Sequence, residues 1–172
     1  MTHRSPIVLT RYSDHWPGEF EAERGLLASS LGNEGVCIEH IDSTAVPGLS
    51  AKPIIDIMLG ASSLQIIEAW VSILEGLGYE YMPIHETAIP DRRFFAKPRT
   101  RPRHIHLHGV VLGGRFWTEH LAFRNALRSD PLLASSYEAL KMSLSEQFAD
   151  DWESYTCAKG PFIAEVVKKA LG

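Results

Sequence analysis

Asp56 is the one charged residue in an otherwise apolar run, Pro53-Ile54-Ile55-Asp56-Ile57-Met58-Leu59. Side chains alternate along a β-strand, so Ile55, Ile57 and Leu59 face one way and Ile54, Asp56 and Met58 the other. A carboxylate buried there is costly unless it meets a metal, a cation or hydrogen-bond donors. Asp56 is therefore a candidate catalytic acid or metal ligand; the alternative is a structural salt bridge or a backbone hydrogen bond. A second constellation is Arg103-His104-Ile105-His106-Leu107-His108, whose period of two puts three imidazoles on one strand face. Neighbouring imidazoles at i and i+2, His106 and His108 among them, suit a transition metal such as Zn²⁺ or Mn²⁺, whereas Mg²⁺ prefers oxygen. They equally suit acid–base work or a hydrogen bond to a phosphate, and the plain alternative is a half-exposed strand with a His-rich polar face. Ser43-Thr44 follow a strand directly, where hydroxyls and turn amides can hold a phosphate or simply cap the turn. Arg92, Arg93, Lys97, Arg99, Arg101 and Arg103 set six cations in a Pro-punctuated stretch of 12 residues. Guanidinium forks and ammonium groups there match phosphate oxygens, unless the stretch is only a solvated loop.

These residues need elements to hold them. Trp16, Phe20, Leu27 and Leu31 share a helical face that ends at Gly32, after a Ser or Asp cap and Pro17. Val36 to Ile41 reads as a strand, Asp42 to Lys52 as a loop, and Pro53 to Leu59 as a strand buried on both faces. Leu64 to Leu77 has helical spacing. Tyr79 to Ile84, Arg92 to Ala96 and His104 to Leu112 read as strands. Beyond Gly113-Gly114 the pattern is helical: one helix on Phe116, His120, Phe123 and Leu127, a second opened by Asp130-Pro131, and a last one from Phe162 to Leu171. The four Trp read as core. The pairs His120/Arg124 and Tyr155/Lys159, each four apart, read as surface or packing contacts. The whole predicts one α+β domain over residues 1–172, a mixed sheet flanked by helices with a helical C-terminal third.

The chain has 172 residues, of which 45% are hydrophobic and 22% charged, which fits one globular core and excludes disordered and fibrous classes. A net charge of −4 argues against nucleic acid as a partner, and no apolar run approaches a membrane span. The start, Met1 to Pro6, has no leader-type apolar core. Two cysteines far apart, Cys37 and Cys157, read as reduced thiols and so as a cytoplasmic protein of unassigned oligomeric state.

Glu39-His40-Ile41-Asp42-Ser43-Thr44-Ala45-Val46-Pro47-Gly48-Leu49, followed by Ala51-Lys52-Pro53-Ile54-Ile55-Asp56-Ile57, resembles the signature of the GrpB family. Arg93-Phe94-Phe95, the His106-Leu107-His108 strand, the Trp117 to Arg124 helix and Tyr155, Lys159 and Phe162-Ile163 extend the resemblance from about residue 7 to 171. That family is similar to the nucleotidyltransferases. The resemblance implies a Gly-Ser turn, here Asp42-Ser43, then a strand with two acids one residue apart, then a third acid on a later strand. The first acid falls on Asp56 and the second on Met58; the third position meets the His104–His108 face. The superfamily chemistry is an in-line displacement assisted by divalent ions.

The expectation is thus a pocket for a nucleotide or other phosphorylated small molecule, with nucleotidyl transfer as its reaction. Asp56, His106 and His108 would be catalytic and, with Asp42, would hold a divalent ion, Mg²⁺ or Mn²⁺ or else Zn²⁺. Ser43, Thr44, Lys52, Arg93 and Lys97 would grip phosphate. Asp56 and at least one of His106 and His108 should open into one cleft. Two rivals remain: a catalytically degenerate binding module, linked to coenzyme A metabolism because the family resembles a domain fused to dephospho-CoA kinase, and a His-dependent metal hydrolase.

Overall fold

The computed structural model describes residues 6–32 and 35–172; Met1 to Ser5, read above for a leader, lie outside them. In chain order come α1 (Trp16–Leu31), β1 (Cys37–Ile41), a short 3-10 turn (Ser43–Ala45), β2 (Ile55–Ala61), α2 (Leu64–Ala69) and α3 (Val71–Gly76). Then follow β3 (Glu80–Tyr81), a second 3-10 turn (Pro83–Glu86), β4 (Arg92–Lys97), β5 (Ile105–Val111), α4 (Arg115–Ser129), α5 (Pro131–Gln147) and α6 (Trp152–Leu171). The strands form one mixed sheet in the order β1-β2-β5-β4-β3. Strands β2 and β5 lie parallel at its centre, and the other neighbours are antiparallel. This is the α+β architecture with a helical C-terminal third.

Alternation sorts each strand's residues between two covered faces. Ile55, Ile57, Leu59, Leu107 and Phe95 meet α1, α2 and α3 through Phe20, Leu27, Ile67 and Leu74. On the other face Ile41, Met58 and Val110 meet Phe116, Trp117 and Leu121 of α4. A glycine lets a helix close on each face: a Cβ on Gly109 would come 2.4 Å from Ile67, and one on Gly60 would come 2.6 Å from Trp117. Beyond α4, the helices α4, α5 and α6 gather Phe123, Leu127, Tyr137 and Val166 over Val46 and Leu49 of the loop after β1. Ile7, Leu144 and Tyr155 make a smaller cluster.

Several elements differ from their sequence reading. The helix expected over 64–77 is two, because the chain breaks at Trp70 between α2 and α3. The strand expected from Tyr79 to Ile84 pairs only over two residues, since Pro83 has no N–H to donate and opens a 3-10 turn. The last helix starts ten residues early, at Trp152, where Asp151 caps it through the Ser154 amide, and it carries Pro161 inside. The first helix has no side-chain cap; His15 occupies that position with Pro17 behind it.

Candidate active site

Parallel pairing sets the site. Register places Asp56 of β2 directly beside His106 of β5, and His108 beside Met58. Antiparallel pairing then puts Phe94 of β4 opposite His108, with Arg92 two residues along on the same face. This stretch of sheet lies at the edge of the α4 cover and opens into a cavity of about 280 Å³. The 3-10 turn after β1 contributes Asp42, Ser43 and Thr44 to its wall, α5 contributes Lys141, and α6 contributes Trp152, Tyr155 and Lys159. Asp56, His106 and His108 thus open into one cleft, together with Lys52.

At the floor, Asp56 Oδ1 accepts from His108 Nε2 at 2.9 Å and lies 3.6 Å from His106 Nδ1. Burial alone would raise the Asp56 carboxyl, but the bonds from His106 and His108 outweigh it and hold the group well below the usual carboxylate range. Arg92 Nη1 approaches His108 Nδ1 at 3.4 Å. A guanidinium can only donate, so Nδ1 accepts, and the single proton of the neutral ring sits on Nε2 facing Asp56. Burial lowers His108 to about 4 against the pull of Asp56, which keeps that ring neutral at pH 7. His106 has its second nitrogen left for other partners and is the more exposed of the two.

The wall is cationic. Arg92 lies over the Phe94 ring at 4.9 Å, and its buried Nε has no hydrogen-bond partner. Lys141 is 2% exposed and donates to Ser43 Oγ at 2.9 Å and to the Ser50 carbonyl. Burial lowers Lys141 to about 8 even though Asp42 pulls the other way. Lys159 stands over the Tyr155 ring at 4.5 Å, and Lys52 over Trp152 at 3.9 Å. Among the described residues, Arg92, Lys141 and Lys159 make no ion pair. Sequence reasoning missed Lys141, which has no signal beyond being a cation on the buried face of a helix, and set aside Tyr155, Lys159 and Trp152.

Other expected residues fall elsewhere. Arg93 and Lys97, expected to grip phosphate, occupy the opposite phase of β4 from Arg92 and point to the α1–α3 side of the sheet. There Arg93 pairs with Glu68 at 2.8 Å and Glu86 at 3.6 Å, and Lys97 pairs with Glu23 at 2.9 Å. Thr44 borders the cavity, but its hydroxyl meets His40 Nε2 at 2.9 Å and the Ile54 carbonyl at 3.4 Å, so it fixes the turn. His104 is exposed outside β5. Asp42 holds φ 60° and ψ −159°, a conformation natural to glycine, and accepts from Ser43 Oγ at 3.2 Å. The metal set of Asp56, His106, His108 and Asp42 does not fit: both His108 nitrogens are engaged, and no three His, Cys, Asp or Glu among the described residues are arranged to hold an ion.

The model of the family described as GrpB protein matches residues 6–169. The chain belongs to the GrpB family. It is 34% identical to glutamate-rich protein GrpB of Alkalihalophilus pseudofirmus, over 97% of each chain. The crystal structure of conserved protein GrpB from Enterococcus faecalis superposes with a TM-score of 0.85 at 34% identity, covering 95% of this chain and 97% of that one. A dephospho-CoA kinase of Mycolicibacterium paratuberculosis is 25% identical over 97% of this chain, which spans 46% of that enzyme.

Within this GrpB chain the acids implied by the nucleotidyltransferase resemblance are one of three. Met58, at the second position, is fully buried under Trp117 and Phe116. Glu39 shares that sheet face, opposite Met58 in register, but is paired with Arg124 at 2.6 Å. The third position holds the imidazoles. At the position of the implied Gly-Ser turn, Asp42 has φ 60° and ψ −159°, backbone angles that suit glycine.

Proposed function

We propose that the cavity binds a nucleotide or another phosphorylated small molecule, in a cytoplasmic protein with free thiols at Cys37 and Cys157. The observation that carries this is a set of three cations that make no ion pair among the described residues, two of them largely withdrawn from water. Desolvating a guanidinium and an ammonium costs several kcal/mol unless an anion answers them. Asp56 attracts Arg92 only through space and does not outweigh its burial, because the Asp56 hydrogen bonds go to the imidazoles. A phosphate between Arg92, Lys141 and Lys159 would complete all three charges, with Lys52 beside it and Ser43 donating to an oxygen. Two-metal nucleotidyl transfer is not part of this reading, since the donor set does not fit and Met58 stands in a carboxylate's place.

Thermal unfolding with nucleoside mono-, di- and triphosphates, coenzyme A precursors and sugar phosphates, each against its dephosphorylated counterpart, tests it. Separate arms add Mg²⁺, Mn²⁺ and Zn²⁺. A rise in Tm with at least one phosphorylated compound and none with its counterpart is expected; no rise with any of them overturns the reading. Met58 in the core favours a second reading, a binding module without turnover. The partial match to a dephospho-CoA kinase suggests coenzyme A metabolism as its setting. Release of pyrophosphate or phosphate from a bound compound would exclude that second reading.

A further inference from the structure

We propose that Ser43 is a nucleophile, with Lys141 as its base, for transfer of a phosphoryl group from an anhydride held in the cavity. This rests on the reading of the cavity as a phosphate site. Ser43 opens the 3-10 turn directly after β1, and the residue before it, Asp42, is held in a backbone conformation that only glycine adopts without strain. A strained turn at a strand end is how a fold keeps one hydroxyl fixed and presented to a cavity. Lys141 Nζ lies 2.9 Å from Ser43 Oγ, within the reach a general base requires. A third group orients the base: the Ser50 carbonyl accepts a hydrogen bond from Lys141 Nζ, while the Glu138 carboxylate accepts one from the Ser50 amide at 2.7 Å. Tyr137, one turn earlier on α5, is fully buried. A serine that only capped a turn would not require a lysine buried to 2% exposure beside it.

The step balances within these groups. Ser43 Oγ bonds to phosphorus as the bond from phosphorus to the bridging oxygen breaks. In molecules whose Lys141 has lost its proton, Arg92, Lys159 and Lys52 hold the phosphates, and the Ser43 proton, which otherwise faces Asp42 Oδ1, passes to the Lys141 amine. The departing phosphate leaves as an anion beside Arg92 and Lys159. An acceptor hydroxyl then bonds to the same phosphorus and the Ser43 Oγ–P bond breaks. Lys141 returns its proton to Ser43, and His106, held beside Asp56, takes the acceptor's proton.

The test uses a small alkyl fluorophosphonate on the full chain: Oγ–P forms, P–F breaks, fluoride departs and the proton goes to Lys141. Intact mass and peptide mapping should find one adduct, on Ser43, absent from Ser43→Ala and formed at least 10-fold more slowly in Lys141→Met. Lys141→Arg, which keeps the charge without a base, should be equally slow. In the wild type the labelling rate should rise with pH through about 8, where Lys141 loses its proton. Asp42 and Glu138 raise that midpoint, Lys52 and Lys159 lower it, and Tyr137 and Tyr155 stay neutral over the range. This profile decides the matter even where a Lys141 variant fails to fold. No adduct, an adduct elsewhere, or a rate flat from pH 6.5 to 9 overturns the inference. Calorimetry with inorganic pyrophosphate separates the two ideas: pyrophosphate binding without labelling removes only the nucleophile, and labelling without pyrophosphate binding removes the phosphate site.

Discussion

Asp42 is the single non-glycine residue with positive φ among the described residues, and its ψ of −159° puts it where a Cβ is crowded. Such a conformation costs of order 1–3 kcal/mol for an L-residue. In return Asp42 gains a hydrogen bond from Ser43 at 3.2 Å, worth about 1 kcal/mol, and the Coulombic attraction of Lys141. Two substitutions separate strain from bonding. Asp42→Gly removes both the strain and the bond and should leave urea unfolding free energy unchanged or raised by about 1 kcal/mol. Asp42→Ala keeps the strain and loses the bond, and should cost about 1 kcal/mol. Equal destabilisation by both would show that the turn is not strained. Because Asp42→Gly also deletes an anion from the wall, it should tighten the binding of pyrophosphate several-fold, measured by calorimetry.

At the level of elements, the phase of a strand decides which of two adjacent cations serves the site. On β4 Arg92 faces the cavity, and Arg93 faces α2 and the second 3-10 turn, bridging Glu68 and Glu86. Arg92→Gln should therefore weaken phosphate binding at least 10-fold with little change in Tm. Arg93→Gln should leave that affinity intact and lower stability by about 1 kcal/mol, since its partners are partly exposed. Reversed effects would reverse the assignment of the two faces. This is also where the sequence ran out. Alternation fixed which way Asp56 faces on β2 and that His106 and His108 share a face of β5, because apolar neighbours set the phase of each strand; the parallel register is what brings all three to one sheet face. The run Arg92-Arg93-Phe94-Phe95 has two cations and two aromatics in succession, and neither choice of phase is favoured by hydrophobicity alone. Lys141 and Lys159 reach the cavity only through the packing of α5 and α6 against the loop after β1, a contact between residues about a hundred positions apart. Helix closure is likewise tertiary: Gly109→Ala would drive a methyl to 2.4 Å from Ile67 and should cost about 1–3 kcal/mol through displacement of α2.

The molecule as a whole keeps neutral imidazoles on both sides of its sheet, and this gives its stability a defined dependence on pH. His40 stacks on Phe20 of α1 at 4.8 Å on one side; His108 lies against Asp56 on the other. Burial lowers each to about 4, against about 6.5 in an unfolded chain. Between those values the unfolded state binds protons that the folded state refuses, so stability is fully present above about pH 6.5 and falls as pH drops toward 4. Each imidazole adds a slope of about 1.4 kcal/mol per pH unit in the middle of that window. His120, also lowered by burial, adds in the same direction. Asp56, held below the usual carboxylate range, extends the loss below about pH 4, where the unfolded carboxyl takes up its proton. Urea unfolding at pH 7, 6, 5 and 4.5 should show this decline. His40→Gln keeps a partner for Thr44 while removing one titrating ring, so its profile should be shallower than wild type by one proton. A wild-type profile flat from pH 7 to 4.5 would mean that these rings titrate normally in the fold. The neutral His108 that presents its Nε2 proton to Asp56, and with it the electrostatics of the cavity floor, would then have to be redrawn.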